Sequence, residues 1–451
     1  MRLETRTLPL LKEALDRLET AFEGLPDADA HPDLPAIRKV LLETAERMKD
    51  NYPYFHPLYA GQMLKPPHPI ARLAYALSLW INPNNHAHDG GRASSDMEKE
   101  AVAGIARMFG WERHLGHLCG GGTMANLEAL WVSGRLAPGK KIVASEQAHY
   151  THRRISEVLQ LPFEAVPTDR RARMDLDALE RLLRKGDIGT VVATIGTTAT
   201  GSVDPLAEIL ELRKAYGFRL HADAAYGGYY VLVETLEPET RRAFEHLGEV
   251  DSIAIDPHKH GLQPYGCGCI LFRDPSVGRF YKHDSPYTYF TSYDLHLGEI
   301  SLECSRAGAA AVALWATERL LPLVPGGEFA RGLEKCRKAA QALFGGLQSN
   351  PRFMTALPPE LDIVVWAPRA ESAGEVSRRS KRVFGAAAER GLHLAMANLP
   401  SDLLKRWWPD IEWDAPHVTC LRSCLMKPEH LDWVDRIGTI LDESVEEVQG
   451  A

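Results

Sequence analysis

The sequence predicts an α/β protein: a doubly wound, mostly parallel sheet followed by a smaller C-terminal α+β domain. Two observations carry this prediction. From about residue 95 to 275, short apolar runs alternate with amphipathic helical patterns, which is typical of a parallel sheet with helices between its strands. Near residue 325 a Pro-Gly-Gly break interrupts the alternation, and a helical pattern and further apolar runs follow it.

The individual elements follow from the apolar periodicity and from turn residues. Residues 10–48 predict two amphipathic helices separated by a segment with glycine and proline at 24–32, and the prolines at 66–69 precede a third helix. A helix is also predicted over 328–347. The apolar runs predict strands at 141–145, 190–195, 219–223, 252–256, 268–272, 361–366 and 418–422.

Capping residues indicate where three further helices begin or end. Ser95-Asp-Met-Glu98 has the pattern of a capping box, so a helix is predicted to start at Ser95. The helix over 175–183 is predicted to stop at Gly186. A third helix is predicted to have Asp204 as its cap and Pro205 as its first residue, and to close at Gly217. These elements divide the chain into a helical segment (1–85), a large α/β domain (86–325) and a small α+β domain (326–451).

Composition excludes several classes of protein. The 451 residues are 45% hydrophobic and 25% charged, which is ordinary for a globular protein. The formal charge of −8 argues against a nucleic-acid partner, and no apolar run approaches a membrane span. The first residues lack the apolar stretch of a signal peptide, and the seven cysteines include no Cys-x-x-Cys pair. We therefore expect a cytoplasmic protein with reduced thiols.

Lys259 is the first candidate catalytic residue. It follows the apolar run 252–256 in the sequence Asp256-Pro-His-Lys. A lysine at the mouth of a buried strand can lose hydration, so that its amine becomes a nucleophile able to form a Schiff base. A solvated surface lysine is the alternative.

Asp223 ends the predicted strand 219–223, 36 positions before Lys259, which is about the length of one strand–helix–strand unit. Both side chains are therefore expected at the carboxyl ends of parallel strands, where open α/β sheets bind ligands. An amine that forms an imine and a carboxylate that keeps a ring nitrogen protonated suit pyridoxal phosphate. A helix cap or a simple ion pair is the alternative for Asp223.

Three further patterns come at predicted strand ends or helix starts. The glycines at 120–122 and Thr123 open an amphipathic helix, a place where backbone N–H groups bind phosphate. His149 follows the strand at 141–145, and Thr198 follows the strand at 190–195. Taken singly, these could be a flexible loop, a surface histidine and a turn.

In order and spacing, these motifs resemble those of the group II pyridoxal-phosphate-dependent amino-acid decarboxylases over roughly residues 80–430. The resemblance implies the fold type I architecture, with Lys259 binding the cofactor aldehyde, Asp223 pairing with the ring nitrogen and His149 stacking on the ring. It also implies contacts to the cofactor from Gly121, Gly122, Thr123, Thr198, Ala225 and His258. The chain departs from the family pattern at Gly120, Met124 and His260, which bears on substrate preference.

The resemblance further implies decarboxylation of an L-amino acid, with a slight preference for an aromatic one, and a homodimer whose active site lies at the interface. The segment 82–95 would then lie close to the partner's cofactor. Arg422 is expected to bind the substrate carboxylate, and Arg306 is its weaker rival. A tyrosine of the segment 281–293, either Tyr287, Tyr289 or Tyr293, would return a proton to the substrate.

Two other functions stay open from the residues. A carbon–carbon lyase or a desulfurase would use the same cofactor. A metal-dependent hydrolase would instead use His86 and His88, with His114 and His117 as further ligands, although the surrounding Asn, Pro and Gly residues favour a loop at this place. No metal is expected in the preferred interpretation.

Overall fold

The structure is a computed structural model that describes residues 3, 5–26, 32–282 and 296–450. The helices are α1 (Leu8–Thr20), α2 (Leu34–Met48), α3 (Pro69–Ser78), α4 (Arg92–Met108), α5 (Gly122–Leu136), α6 (Thr151–Val158), α7 (Leu176–Leu183), α8 (Leu206–Tyr216), α9 (Pro238–Glu245), α10 (Gly308–Leu320), α11 (Glu328–Ser349), α12 (Ala373–Glu389), α13 (Ser401–Leu404) and α14 (His430–Gly450). The strands are β1 (Leu115–Cys119), β2 (Lys141–Ser145), β3 (Phe163–Val166), β4 (Ile188–Thr194), β5 (Arg219–Asp223), β6 (Ser252–Ile255), β7 (Gly268–Phe272), β8 (Phe353–Ala356), β9 (Ile363–Pro368), β10 (Ala395–Pro400) and β11 (His417–Cys424).

A mostly parallel sheet forms the larger part of the protein, as predicted. Among the described residues it has seven strands in the order β1-β7-β6-β5-β4-β2-β3. Strand β7 pairs antiparallel with both of its neighbours, and the other pairs are parallel. Every residue of β6 and nearly every residue of β5 is buried, because helices cover both faces of the sheet. Strand β6 is therefore largely apolar, whereas β5 also buries the polar side chains of His221 and Asp223.

The smaller sheet is antiparallel, with the order β10-β11-β9-β8. Its core includes the fully buried Trp366 and apolar residues of α11, α12 and α14. The chain near Ala60 joins this sheet from far upstream, since its N–H bonds to His393 O and its carbonyl accepts from Cys424 N. The predicted divisions after residues 85 and 325 stay a prediction.

Two predicted helix starts are wrong. In each case the carboxylate that was expected to take part in the helix cap contacts other parts of the protein instead. Helix α4 begins at Arg92, so Ser95 lies inside it. Glu98, expected to complete the capping box, is buried and instead pairs with Arg306 at 2.7 Å. Helix α8 has Pro205 as its N-cap rather than Asp204.

Asp204 links loops and strands instead of capping a helix. Its carboxylate accepts the N–H groups of Met174 and Thr194, each at 2.7 Å. Gly217 does close α8, with a left-handed φ of 71°, as predicted. Asp175 caps α7 through Ala178 N, and Gly186 follows that helix with a φ of 73°.

No helix in the described part of the chain combines the length and the apolar character that crossing a membrane requires.

Candidate active site

A cavity of about 490 Å³ lies at the carboxyl ends of β4, β5 and β6, beside the start of α5. This is the edge at which an open α/β sheet binds its ligands. Nine residues that the sequence predicted to contact a cofactor line it together: Gly121, Gly122, Thr123, His149, Thr198, Asp223, Ala225, His258 and Lys259. The fold therefore collects in one place motifs that are spread over almost 140 positions.

Lys259 extends into this cavity from the turn after β6. Its Nζ lies 2.9 Å from Oδ2 of Asp256, which ends the same strand run. The imidazole of His258 lies near the same carboxylate, with Nε2 at 3.6 Å from Oδ2. Because the Lys259 side chain is only 21% exposed, its amine is shielded from bulk water and held at a defined place.

Asp223 is the buried carboxylate of the site, at the end of β5. Its Oδ1 accepts the N–H of Ala225 at 3.2 Å, and its Oδ2 lies 2.7 Å from Nε2 of His152. Burial acts to raise the pKa of Asp223, but the hydrogen bond and charge of His152, together with Lys259, lower it well below its usual range. Asp223 is thus held in its charged form near neutral pH.

His152 is a functional candidate that the sequence reasoning missed. It lies on the first turn of α6 and is 1% exposed. The sequence signal is weak: His152 follows the candidate His149 by three positions, but His149 precedes α6, whose N-cap is Tyr150, so the two do not share a helix face. Only the structure shows that His152 meets the end of β5.

The glycines at the start of α5 let its backbone lie close to Asp256 and Ala225 at the edge of the cavity. Helix α5 begins at Gly122, and its N-cap, Gly121, provides no side-chain cap. A Cβ on Gly122 would lie 2.9 Å from Oδ2 of Asp256 and 3.2 Å from Cβ of Ala225. Uncapped N–H groups at a helix start, with small neighbours, suit a phosphate.

His149 borders the cavity with a ring held by its neighbours. Its Nδ1 lies 2.7 Å from Oγ1 of Thr151, and its ring centroid is 4.6 Å from that of Tyr150. Burial lowers the pKa of His149, so its neutral form prevails at neutral pH. A neutral, fixed imidazole is suited to contact a flat aromatic ring.

Arg422 lies beside the cavity rather than in its lining. Its guanidinium donates to Thr198 O at 2.5 Å and to Oε1 of Gln62 at 2.8 Å. The contact with Thr198 connects it to a residue that does line the cavity. Its rival Arg306 pairs with buried Glu98 and donates to Leu118 O, so that side chain is committed to the fold.

The histidines of the hydrolase alternative do not come together as ligands. His117 lies in β1 and pairs with buried Glu128, while His88 faces Asp96 at 3.9 Å. In the described ranges, no three His, Cys, Asp or Glu side chains form a group that could hold a metal ion. Tyr287, Tyr289 and Tyr293, the candidate proton donors, lie outside the described residues.

Residues 128–368, more than half of the chain, match the pyridoxal-dependent decarboxylase conserved domain. The chain belongs to the pyridoxal-dependent decarboxylase family. Family, fold and cofactor are therefore as predicted, and the hydrolase alternative is set aside.

Individual relatives agree with the family assignment. The chain is 28% identical to the L-tyrosine decarboxylase of Enterococcus faecium, over 65% of this chain and 65% of that enzyme. It is 30% identical to a probable L-tyrosine/L-aspartate decarboxylase of Methanothermobacter thermautotrophicus, over 71% of this chain and 85% of the relative. The match thus spans less than two thirds of the enterococcal enzyme.

The fold has counterparts among solved structures. The crystal structure of Oryza sativa TDC with PLP and tryptamine superposes with a TM-score of 0.79 at 16% identity, covering 99% of both chains. At this identity the likeness concerns the fold alone.

The described residues fit the family's cofactor, pyridoxal phosphate. Lys259 offers an amine, Asp223 a charged carboxylate, and the start of α5 a place for a phosphate. Two buried atoms of the site, Nδ1 of His258 and Oδ1 of Asp256, have no hydrogen-bond partner in the described part of the protein. Both atoms are therefore available to hydrogen-bond a group bound in the cavity.

Proposed function

We propose that the protein decarboxylates an L-amino acid, with pyridoxal phosphate bound at Lys259. The observation that carries the proposal is the placement of Lys259, Asp223 and the uncapped start of α5 around one cavity, in a chain of this family. When bound, the cofactor supplies a ring that accepts the electron pair left on Cα as carbon dioxide departs.

Each side chain of the site has a distinct task in this proposal. Lys259 holds the cofactor covalently through Nζ, and Asp256 fixes that amine before the bond forms. Asp223 stays charged because of its lowered pKa, and so keeps a proton on the ring nitrogen. The backbone N–H groups of Gly122 and Thr123 bind the phosphate. His149 covers one side of the cavity and excludes water from it.

Arg422 is proposed to bind the substrate carboxylate. A guanidinium can hold a carboxylate through two parallel hydrogen bonds, which also fixes its orientation. Arg422 is 4% exposed and adjoins the cavity through Thr198, and its Nε has no partner among the described residues. A substrate carboxylate that enters from the cavity can accept a hydrogen bond from Nε of Arg422. It can also replace the longer of the two present contacts of the guanidinium, the one to Oε1 of Gln62.

An aromatic substrate suits the cavity better than an acidic one. Lys259 is the only lysine or arginine among the described residues that line it, and this amine is committed to the cofactor. The side chain of aspartate would therefore lack a cationic partner. Met124 and Leu127 instead provide apolar contact, and the enterococcal relative is named an L-tyrosine decarboxylase, whereas the name of the Methanothermobacter relative carries both tyrosine and aspartate.

Incubation of the cofactor-loaded protein with L-tyrosine and with L-aspartate tests the proposal. We expect carbon dioxide and the amine in equal amounts, with L-tyrosine preferred. A Lys259→Ala variant should be inactive, whereas Lys185→Ala, a change at an exposed lysine, should match the wild type. An aldehyde without carbon dioxide would favour the carbon–carbon lyase instead.

We also propose that the working form is a homodimer. No residue of α1 or α2 is buried, and α2 exposes apolar side chains at Leu34, Ile37, Val40 and Leu41. Large apolar patches on a protein surface usually mark an interface. A second copy of the chain would cover them.

Sedimentation velocity tests the dimer with a matched pair of variants on α2. Leu41→Glu places a charge in the apolar patch and should shift the protein toward monomer. Lys39→Glu changes an exposed polar position of the same helix and should leave the dimer intact. A wild-type monomer would contradict the proposal. The seven unpaired thiols support the further proposal of a cytoplasmic location.

A further inference from the structure

A second cavity, of about 570 Å³, lies beside the start of α11, between the chain at 65–69 and the chain at 427–429. It shares no lining residue with the cavity that contains Lys259. The two are nevertheless adjacent along the chain, because His260 lines the second and Lys259 the first. Its volume is in the range of small-molecule sites, so it is large enough for a separate ligand.

The charges around the second cavity are mainly positive. Four cationic side chains line it, and two carboxylates oppose them: Lys65, Arg331, Lys335 and Lys427 against Glu328 and Glu429. The whole chain carries a formal charge of −8, so the excess of positive charge around this cavity is opposite in sign to the net charge of the protein. A concave surface with excess positive charge attracts anions.

Lys427 is the most unusual of these side chains, since it is only 4% exposed. Its ammonium donates to Tyr59 O at 2.6 Å and lies 5.2 Å from the centroid of the Tyr59 ring. Lys65 donates to Met426 O at 3.2 Å. Within the described ranges, neither lysine has a carboxylate at ion-pair distance, although each lines the cavity.

Lys427 is buried and Lys65 is half-buried, and two neighbouring ammonium groups without carboxylate partners are costly to hold in such a place. Burial, with the charge of Lys65, lowers the pKa of Lys427 to about 7, and burial lowers the pKa of Lys65 as well. A bound anion would offset this cost by pairing with both amines. The carbonyl contacts leave donor capacity for it, since an ammonium carries three N–H groups.

We propose that the second cavity binds a small organic anion, with its charged group at Lys65 and Lys427. Its apolar part packs against Pro66, Phe329 and Leu333, which line the same cavity. The site does not depend on the proposed decarboxylation, because none of its residues takes part in that reaction.

Calorimetric titration with phenyl phosphate tests the proposal, and the protein must be loaded with cofactor so that the phosphate place at α5 is filled. We expect one saturable site per chain. Lys427→Met should weaken binding by about ten- to a hundredfold, the loss expected for a hydrogen bond between charged groups. Lys381→Met, a change at an exposed lysine of α12, should leave the affinity unchanged. Phenol, which lacks the anionic group, should not bind.

Chemical labelling provides a measurement that needs no variant. Phenyl phosphate should slow the acetylation of Lys65, measured by peptide mass spectrometry, and leave that of Lys381 unchanged. Lys65→Met should reproduce the loss of affinity if Lys427→Met does not fold. Unchanged binding in both lysine variants, or no saturable binding below about 10 mM, would overturn the proposal.

Discussion

Nε2 of His152 lies 2.7 Å from Oδ2 of Asp223, and the two side chains are 1% and 6% exposed. The second carboxylate oxygen accepts the N–H of Ala225 at 3.2 Å. The carboxylate is thus oriented by a helix on one side and by its own turn on the other. Its pKa depends on a histidine that does not line the cavity.

Replacement of His152 should impair turnover more than substrate binding. His152→Phe removes the donor to Asp223, and a hydrogen bond to a charged group contributes roughly 1.5–3 kcal/mol. We expect kcat to fall by about tenfold or more with little change in KM, and His152→Gln to recover part of the loss. His417→Gln, at an exposed histidine, should behave as the wild type.

A cofactor analogue separates this role from a merely structural one. If His152 acts through Asp223 on the ring nitrogen, an analogue with a permanently methylated ring nitrogen should make kcat insensitive to His152→Phe. Equal impairment with both cofactors would show that His152 acts in some other way.

Gly122→Ala should weaken cofactor binding without unfolding the protein. The new Cβ would lie 2.9 Å from Oδ2 of Asp256, so the start of α5 or the carboxylate has to move. We expect at least a tenfold higher dissociation constant for pyridoxal phosphate, measured by fluorescence quenching. Gly438→Ala, on α14 with open space around it, should instead stabilise the protein by roughly 0.5–1 kcal/mol. Unchanged cofactor affinity in Gly122→Ala would refute the assigned phosphate place.

Arg422→Lys should raise KM for the amino acid by about a hundredfold and leave cofactor affinity unchanged, since a lysine cannot form two parallel bonds to a carboxylate. Steady-state kinetics and cofactor titration together show whether Arg422 binds the substrate carboxylate. Lower cofactor affinity at normal KM would mean that Arg422 only positions Thr198. Arg306→Lys should lower thermal stability and leave KM unaffected, because Arg306 is paired with buried Glu98.

Acid should destabilise the protein through buried histidines. Burial lowers the pKa of His221 and of His430 to about 3, against about 6.5 in an unfolded chain. Between these values only the unfolded state binds the proton, so stability is full above about pH 6.5 and falls as the pH drops toward 3. Urea unfolding at pH 7 and pH 5 should differ by roughly 1–2 kcal/mol per histidine, and less in His430→Gln. A pH-independent free energy of unfolding in this window would contradict the assignment.

The sequence predicted β4 and β6 well because they are buried and mostly apolar, and it predicted β5 although Arg219, His221 and Asp223 are three of its five residues. It missed β1, whose Gly116 and His117 interrupt the apolar run, and β3, a four-residue edge strand with Glu164. It also missed β10, which alternates in burial but contains alanine and methionine, residues that favour helices. The local pattern of apolar residues predicts a strand least well where the strand is short or where contacts with distant residues stabilise it.

The strand-end motifs were expected to lie together because strand ends of one sheet meet at one edge, and they do line one cavity; their roles toward a cofactor stay a prediction. The contacts of Glu98 and Asp204 could not be predicted, since each carboxylate serves residues from other parts of the chain. Their local sequence resembles a helix cap, and burial overrides that preference. The hydrogen-bond partner of Lys427, the carbonyl of Tyr59, likewise lies 368 positions upstream.

Borohydride reduction of the cofactor-loaded protein, followed by digestion and mass spectrometry, tests the central claim most directly. We expect one pyridoxyl group per chain, on Nζ of Lys259, in the peptide that contains Asp256-Pro-His-Lys. A pyridoxyl group on another lysine, or none at all, would contradict the account.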